Sequence, residues 1–333
     1  MDHAQRSALN SYTANPIDRA PAARRDGKWV RSRLADPDTR LVPLWRLEPL
    51  VRLDKETTPV FIAPTDFPSL ASAPDALTLL GVLDRRAYFA LDLPDDGSEW
   101  PPGLAALGRF QDLRRLSAIL GDREGGLLAY ARAMVYWRRR HRFCGECGMP
   151  TQPENAGHLL VCTNERCGRR HFPRTDPAVI VQVESRGRCL LARQSHWPDK
   201  RYSVIAGYVE PGESAEDAVA REVREETSIE TGRVSYHSSQ PWPFPGSLML
   251  GFCAEARTEQ IELLDGELAQ AAWFDRRAVT RAIRNGGLKL PPRFSIAFRL
   301  VEDWFDAGEL GPLADVLKGS PDGIGELIAP RVP

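Results

Sequence analysis

The chain has 333 residues, 42% hydrophobic and 27% charged, enough for two domains with ordinary cores. Its 44 Lys and Arg against 45 Asp and Glu give a formal net charge of -1, which excludes coating of nucleic acid by overall positive charge but leaves room for a local basic patch. No apolar run approaches the roughly 20 residues that span a bilayer, and neither a secretory leader in MDHAQRSALNSYTANP nor a lipidation or peroxisomal ending in APRVP is read, so a cytoplasmic protein without membrane partners is expected.

The first 40 residues, rich in Arg, Ala, Asp and Pro and without periodicity, read as a loose start. The runs TPVFIA, ALTLLGVL and RAYFALDL, broken by Pro, Asp and Gly, then read as short strands with turns. From residue 103 to 140 the spacing of Leu104, Leu107, Phe110, Leu113, Leu116 and Leu120, then 127–137, is helical. Residues 1–138 are thus expected to form an α+β domain without a motif that carries chemistry, a scaffold or a dimerisation domain.

Four of the six cysteines stand in two close pairs, Cys144-x2-Cys147 and Cys162-x4-Cys167. Zinc takes four tetrahedral ligands, and two knuckles deliver them from little chain, with Gly145 and Gly148 suited to the tight turns. No open ligand position or neighbouring base is apparent, so a structural zinc is expected. Cys189 and Cys253 lie in apolar runs and read as buried packing residues. The basic flanks, WRRRHRF and RCGRRHFPR, suit phosphate or an RNA backbone, and equally a solvated face.

Beyond the cysteines, PAVIVQVE, RCLLARQ, YSVIAGYVE, RVSYHSS, SLMLGFCAEA and AQAAWFD read as strands, with helices over 214–227, 276–284 and 294–306. In GYVEPGESAEDAVAREVREETSI, Pro211-Gly212 makes a turn, and Ser214 with Asp217 forms a capping box. Glu222, Glu225 and Glu226 stand at i, i+3 and i+4 on the face that also carries Ala215, Ala218 and Val219. Inward carboxylates repel and lose hydration unless a cation joins them, and oxygen-only ligands favour Mg²⁺ or Mn²⁺. A solvated acidic face is the other reading. SQPWPFPGS, residues 239–247, is a poor strand and a worse helix, yet too aromatic for a solvent loop.

The array Gly207-x5-Glu213-x7-Arg221-Glu222-Val223-x-Glu225-Glu226-x-Ser228-Ile229 resembles the signature of the Nudix hydrolases, with Ser228 in place of a late glycine. Together with the preceding zinc ribbon and the following SQPWPFPGS, it is similar to the NADH pyrophosphatase (NAD diphosphatase) family over about residues 130–305. The fold class implied is α+β: an N-terminal α+β domain (1–138), a zinc ribbon (139–175) and a Nudix α/β/α sandwich (176–333).

The resemblance further implies that Ala206, through its carbonyl, and Glu267 join Glu222, Glu225 and Glu226 as ligands of two or three catalytic divalent ions; Glu226, or a metal-bound neighbour, is the expected base that orients the attacking water. It implies that Phe172, Tyr208, Gln240, Pro241, Trp242, Pro243, Phe244, Pro245, Gly246, Ser247 and Ala297 line a dinucleotide site. There the rings would stack on bases, while Gln240 and Ser247 bond polar edges and the prolines keep the ribbon stiff. The expected reaction is metal-assisted cleavage of NAD(H) into NMN(H) and AMP, extending to NAD-capped RNA, by a homodimer. Two rivals share parts of the pattern: a Nudix hydrolase of another dinucleotide such as ADP-ribose, and a zinc-ribbon nucleic-acid-binding protein with an inactive Nudix fold.

Overall fold

The computed structural model describes residues 1–318 apart from 14, 73, 96–101, 118 and 265. The chain divides into two compact units: Met1–Ser11, Asp176–Pro241 and Ser247–Pro333 form the first, and Tyr12–Thr175 with Trp242–Gly246 form the second.

In the first unit the described strands make a six-stranded mixed sheet. Its order is Thr231–Trp242, Ser247–Ala256, Asp176–Ser185, Arg188–Gln194, Leu268–Phe274, with Ile205–Tyr208 paired to Asp176–Ser185. Alternation along Asp176–Ser185 decides what each face packs against. Val179, Val181 and Val183 meet Ala218, Val219 and Val223 of the helix Ala215–Thr227. Ile180 on the opposite face meets Ile296, Ala297 and Val301 of the helix Ile296–Asp306, with Val279 and Ile283 of Arg276–Arg284. Sheet between helices is the expected sandwich. Cys189 is fully buried in that second core; Cys253 packs on it only partly buried.

The ribbon 239–247 differs from its expectation. The strand runs on through Pro241 to Trp242, and only residues 243–246 form the turn of a hairpin. The strand ends the sheet order, so the missing N–H of Pro241 removes no ladder bond from the interior. The loose start differs too. Residues 3–8 form a helix closed by an Asp2–Gln5 capping box.

In the second unit, a six-stranded sheet is ordered Thr57–Pro59, Glu48–Leu53, Arg40–Trp45, Arg86–Asp92, Leu77–Leu83, with Arg109–Phe110 paired to Glu48–Leu53. The stretch read as helical from 103 breaks up. Short helices Pro102–Ala105 and Leu113–Leu116 flank that two-residue strand, and the long helix Asp122–Arg140 follows. At Gly108 an added Cβ would lie 2.3 Å from the Val51 carbonyl oxygen, so the glycine lets the chain join the sheet. The cysteine segment adds the three strands Thr151–Glu154, Leu159–Cys162 and Arg170–His171. Its turn presses on Leu77–Leu83: a Cβ on Gly157 would lie 2.7 Å from Thr78 Oγ1, and His158 Nε2 donates to Leu79 O at 2.6 Å. Burial beside Arg24 holds His158 neutral, its pKa lowered to about 4. No helix among the described residues is long and apolar enough to cross a membrane.

Candidate functional site

The acidic helix begins where the sequence places it. Ser214 caps it, its hydroxyl accepting from the Asp217 N–H at 3.1 Å while Asp217 answers the Ser214 N–H. It ends at Ser228, which takes the left-handed conformation (φ 60°) that the expected glycine would adopt freely. Its hydroxyl donates to Glu262 O at 3.1 Å, which offsets part of the strain.

The three glutamates are graded rather than uniformly inward. Glu226 is 4% exposed and Glu222 partly buried, whereas the Glu225 side chain is half exposed. Glu222 lies against the neighbouring strand so closely that a Cβ on Gly207 would fall 1.9 Å from its carboxyl carbon. This glycine is therefore a requirement of carboxylate placement. Burial pushes the Glu222 pKa above the ordinary carboxylate range against the pull of Arg221, and the Glu225 and Glu267 charges push the same way.

Arg221 organises the cluster, a role that the sequence reading left out. Its Nε donates to Glu213 Oε1 at 2.6 Å and one terminal nitrogen to Glu213 Oε2 and Tyr208 O, both at 2.9 Å. The other terminal nitrogen donates to Glu222 Oε1 at 2.9 Å and to Glu225 Oε2 at 3.0 Å. These bonds raise the arginine's own pKa and lower that of Glu213 to about 2. Only the planar five-donor fork of arginine makes this set; its trace in the sequence was its fixed place between Glu213 and Glu222.

The other expected substrate residues separate into groups. Ala206 stands opposite Ile180, and Tyr208 opposite Ala178, on the strand beside the helix. The exposed Tyr208 hydroxyl lies 3.3 Å from the buried Ser247 Oγ. Ala297 is buried in the second core. Gln240 departs from its expectation: fully buried, it donates through Nε2 to Ser11 O (3.1 Å) and Phe294 O (2.7 Å) and accepts the Ile296 N–H at 2.7 Å. That amide clamps strand to helix, and both its donors are used within the protein. Pro241 is exposed beside it.

Phe172 and residues 242–246 belong to the second unit. Trp242 and Phe244 meet edge to face at 5.2 Å. Phe244 also meets Tyr12 at 5.9 Å, and Arg114 and Arg132 each stand over its ring at 5.0 Å. Arg132 donates to Pro243 O at 2.5 Å. Phe244 is thus an anchor of the turn more than an open platform, while Phe172 is 56% exposed with Arg170 6.0 Å from its ring. Pro245 is exposed and Gly246 lies against Tyr136.

The four ribbon thiols converge. Among the described residues, Cys144, Cys147, Cys162 and Cys167 are the one group of three or more His, Cys, Asp or Glu whose ligand atoms all lie within 4.8 Å of one another. Two of the Sγ separations are 3.4 and 3.8 Å, matching the edge of about 3.8 Å of a tetrahedron with ~2.3 Å Zn–S bonds. Backbone N–H groups of the first knuckle pull the Cys144 and Cys147 pKa values down, the latter to about 7. Gly148 (φ 73°) turns that knuckle as expected, and Gly168 (φ 55°), not singled out in the sequence, turns the other. Of the basic flank, Arg138 is bonded to Leu77 O and Thr78 and Arg139 to Asp92, whereas Arg142, Arg166, Arg169, Arg170 and Arg174 are exposed.

Comparison with known proteins matches this architecture piece by piece. Family models described as a NADH pyrophosphatase-like rudimentary NUDIX domain, a NADH pyrophosphatase zinc ribbon domain and a NUDIX domain match residues 38–137, 139–172 and 173–294. The chain is 32% identical to the NAD-capped RNA hydrolase NUDT12 of Macaca fascicularis, over 89% of this chain and 73% of that protein. It is 39% identical to Nudix hydrolase 19, chloroplastic, of Arabidopsis thaliana (74% of this chain, 63% of that one). It is 44% identical to the NAD-capped RNA hydrolase NudC of Mycobacterium bovis (58% and 64%). The chain belongs to the Nudix hydrolases, in the NADH pyrophosphatase branch defined by its rudimentary first domain and its zinc ribbon.

Proposed function

We propose that this enzyme hydrolyses the pyrophosphate bridge of NAD(H), giving NMN(H) and AMP, and removes NAD caps from RNA. The observation that carries the reading is the carboxylate set around Glu222, backed onto Gly207 and held by Arg221. A Nudix domain implies a divalent metal, and the donor set fits one. Glu222, Glu225, Glu226 and Glu267, with the Ala206 carbonyl, offer oxygen only, and a hard cation would offset the burial that raises the Glu222 pKa and the smaller push of the Glu225 and Glu267 charges. Bound there, Mg²⁺ or Mn²⁺ supplies neutralisation of the diphosphate and acidification of a water.

The chain's own groups do the rest. Glu226, buried at the end of the apolar face, accepts the proton of the attacking water. Arg221 fixes the rotamers of Glu222 and Glu225, so that little reorganisation is left for the reaction itself. Tyr208 and Ser247 present a ring and a hydroxyl to the substrate; a role for Trp242 in stacking on a base rests on the family resemblance alone. The exposed ribbon arginines suit the RNA body behind a cap. We place the protein in the cytoplasm as a homodimer on the family resemblance.

The test compares kcat/KM on NADH, NAD, ADP-ribose and a short NAD-capped RNA, with Mg²⁺ and with Mn²⁺. NADH, NAD or the capped RNA is expected to exceed ADP-ribose by at least ~10-fold, the worth of about one good contact pair to the second base. Preference for ADP-ribose over all three overturns the substrate assignment.

A further inference from the structure

The first dozen residues run beside the hairpin strand and keep step with it. The His3 ring packs edge-on to Tyr236 at 5.4 Å. Ser7 Oγ accepts the Ser239 N–H at 3.0 Å. Asn10 Nδ2 donates to Ser239 O at 2.9 Å and to Ser238 Oγ at 3.2 Å. Ser11 O accepts from Gln240 at 3.1 Å. We infer that residues 3–11 are a strap that positions the strand segment 236–240 leading into the Pro-aromatic turn, with Ser7 and Asn10 as its positioning residues.

Thr231–Trp242 ends its sheet, so among the described residues its outer backbone groups have no further strand to bond. At Ser239 both the N–H and the C=O are closed by side chains of the strap. The need arises two residues later, where Pro241, Pro243 and Pro245 supply no N–H and leave the turn few bonds of its own. Asn10 is 3% exposed and Ser238 is fully buried, so the bond between them is shielded from water, while the two bonds to Ser239 are partly buried. Fastening the strand at Ser239 and Gln240 orders the end of the strand, and a preset strand orders less on binding.

What the hairpin holds rests on the proposed function; that the strap holds the strand does not. The experiment pairs Ser7→Ala/Asn10→Asp, which keeps size and removes the bonds, with Ser7→Thr, which keeps a hydroxyl. Hydrogen exchange at the Ser239 amide is read beside KM and kcat on NADH and on ADP-ribose. The double variant is expected to exchange at least ~10-fold faster at Ser239 and to raise KM for NADH by ~3- to 10-fold. Its kcat should stay within about twofold and its ADP-ribose KM should not move; Ser7→Thr should match wild type. Ser7→Ala alone, milder, removes the bond to the Ser239 N–H and keeps the test open if the double variant folds poorly. Unchanged exchange overturns the strap, and equal changes on both substrates overturn its positioning role. A wild type inert on NADH refutes the proposed function instead, and exchange still decides the strap.

Discussion

The cysteine ribbon and the acidic helix both gather metal-ligand residues, and they do so in opposite ways. The ribbon thiols come from two knuckles and close to within 4.8 Å of one another, with backbone N–H groups already lowering two of their pKa values. The helix glutamates share one face but grade from buried Glu226 to half-exposed Glu225, and Arg221 occupies oxygens of Glu222 and Glu225. A closed set of soft ligands builds structure. An open, oxygen-only set leaves positions for substrate phosphates and water, which chemistry requires. On the proposed reading, ligand spacing in the sequence points to where a metal would bind, while burial and side-chain partners distinguish a structural site from a catalytic one.

The contrast is broken most directly at Glu226. Glu226→Gln is expected to lower kcat on NADH by roughly 10²- to 10⁴-fold, the range of a positioned general base, with an unchanged thermal unfolding curve. More than about a tenth of wild-type kcat, a barrier change under ~1.4 kcal/mol, would remove Glu226 from the mechanism. Next comes Gly207→Ala. The new methyl displaces the Glu222 carboxyl, and a shift on the order of 1 Å costs about 10²-fold in rate. Wild-type activity in that variant would show that Glu222 needs no such placement.

The ribbon should answer differently. Cys162→Ser is expected to take bound zinc from one per chain to none and lower the melting temperature by ~5–10 °C, the effect of a few kcal/mol in a unit of this size. Because the ribbon turn presses on Leu77–Leu83, exchange at Leu79 and Thr78 should quicken with it. Well under one zinc per chain in wild type purified without chelator contradicts a structural zinc. The smallest effect sharpens the hairpin. Trp242→Ala should cost ~5- to 10-fold in preference for NADH over ADP-ribose, about one ring's worth of stacking. Phe244→Ala, losing the anchor under Arg114 and Arg132, should lower stability more than selectivity. Equal losses on both substrates for Trp242→Ala would make the whole hairpin a packing element.

What could be read in the sequence follows from range. The capping box, the glutamate spacing and the paired cysteines are local patterns, and the fold realises each within a few residues. The strands of the sandwich were legible for the same reason, by alternation. What escaped depends on partners far along the chain. Gln240 looked like a ligand-binding amide because Ser11, 229 positions away, gives no sign of taking its hydrogen. Residues 3–8 looked loose because the strand they fasten lies beyond residue 230. The helical spacing around Phe110 was real, but Gly108 let the chain close on Val51 and become a strand instead.

The reaction itself can be measured directly. Wild-type protein incubated with NADH and Mg²⁺ or Mn²⁺, and its products separated by chromatography, tests it without any variant. Equal amounts of NMNH and AMP, absent from a parallel sample with chelator, are expected. NADH left intact while ADP-ribose is cleaved in the same buffer would contradict it.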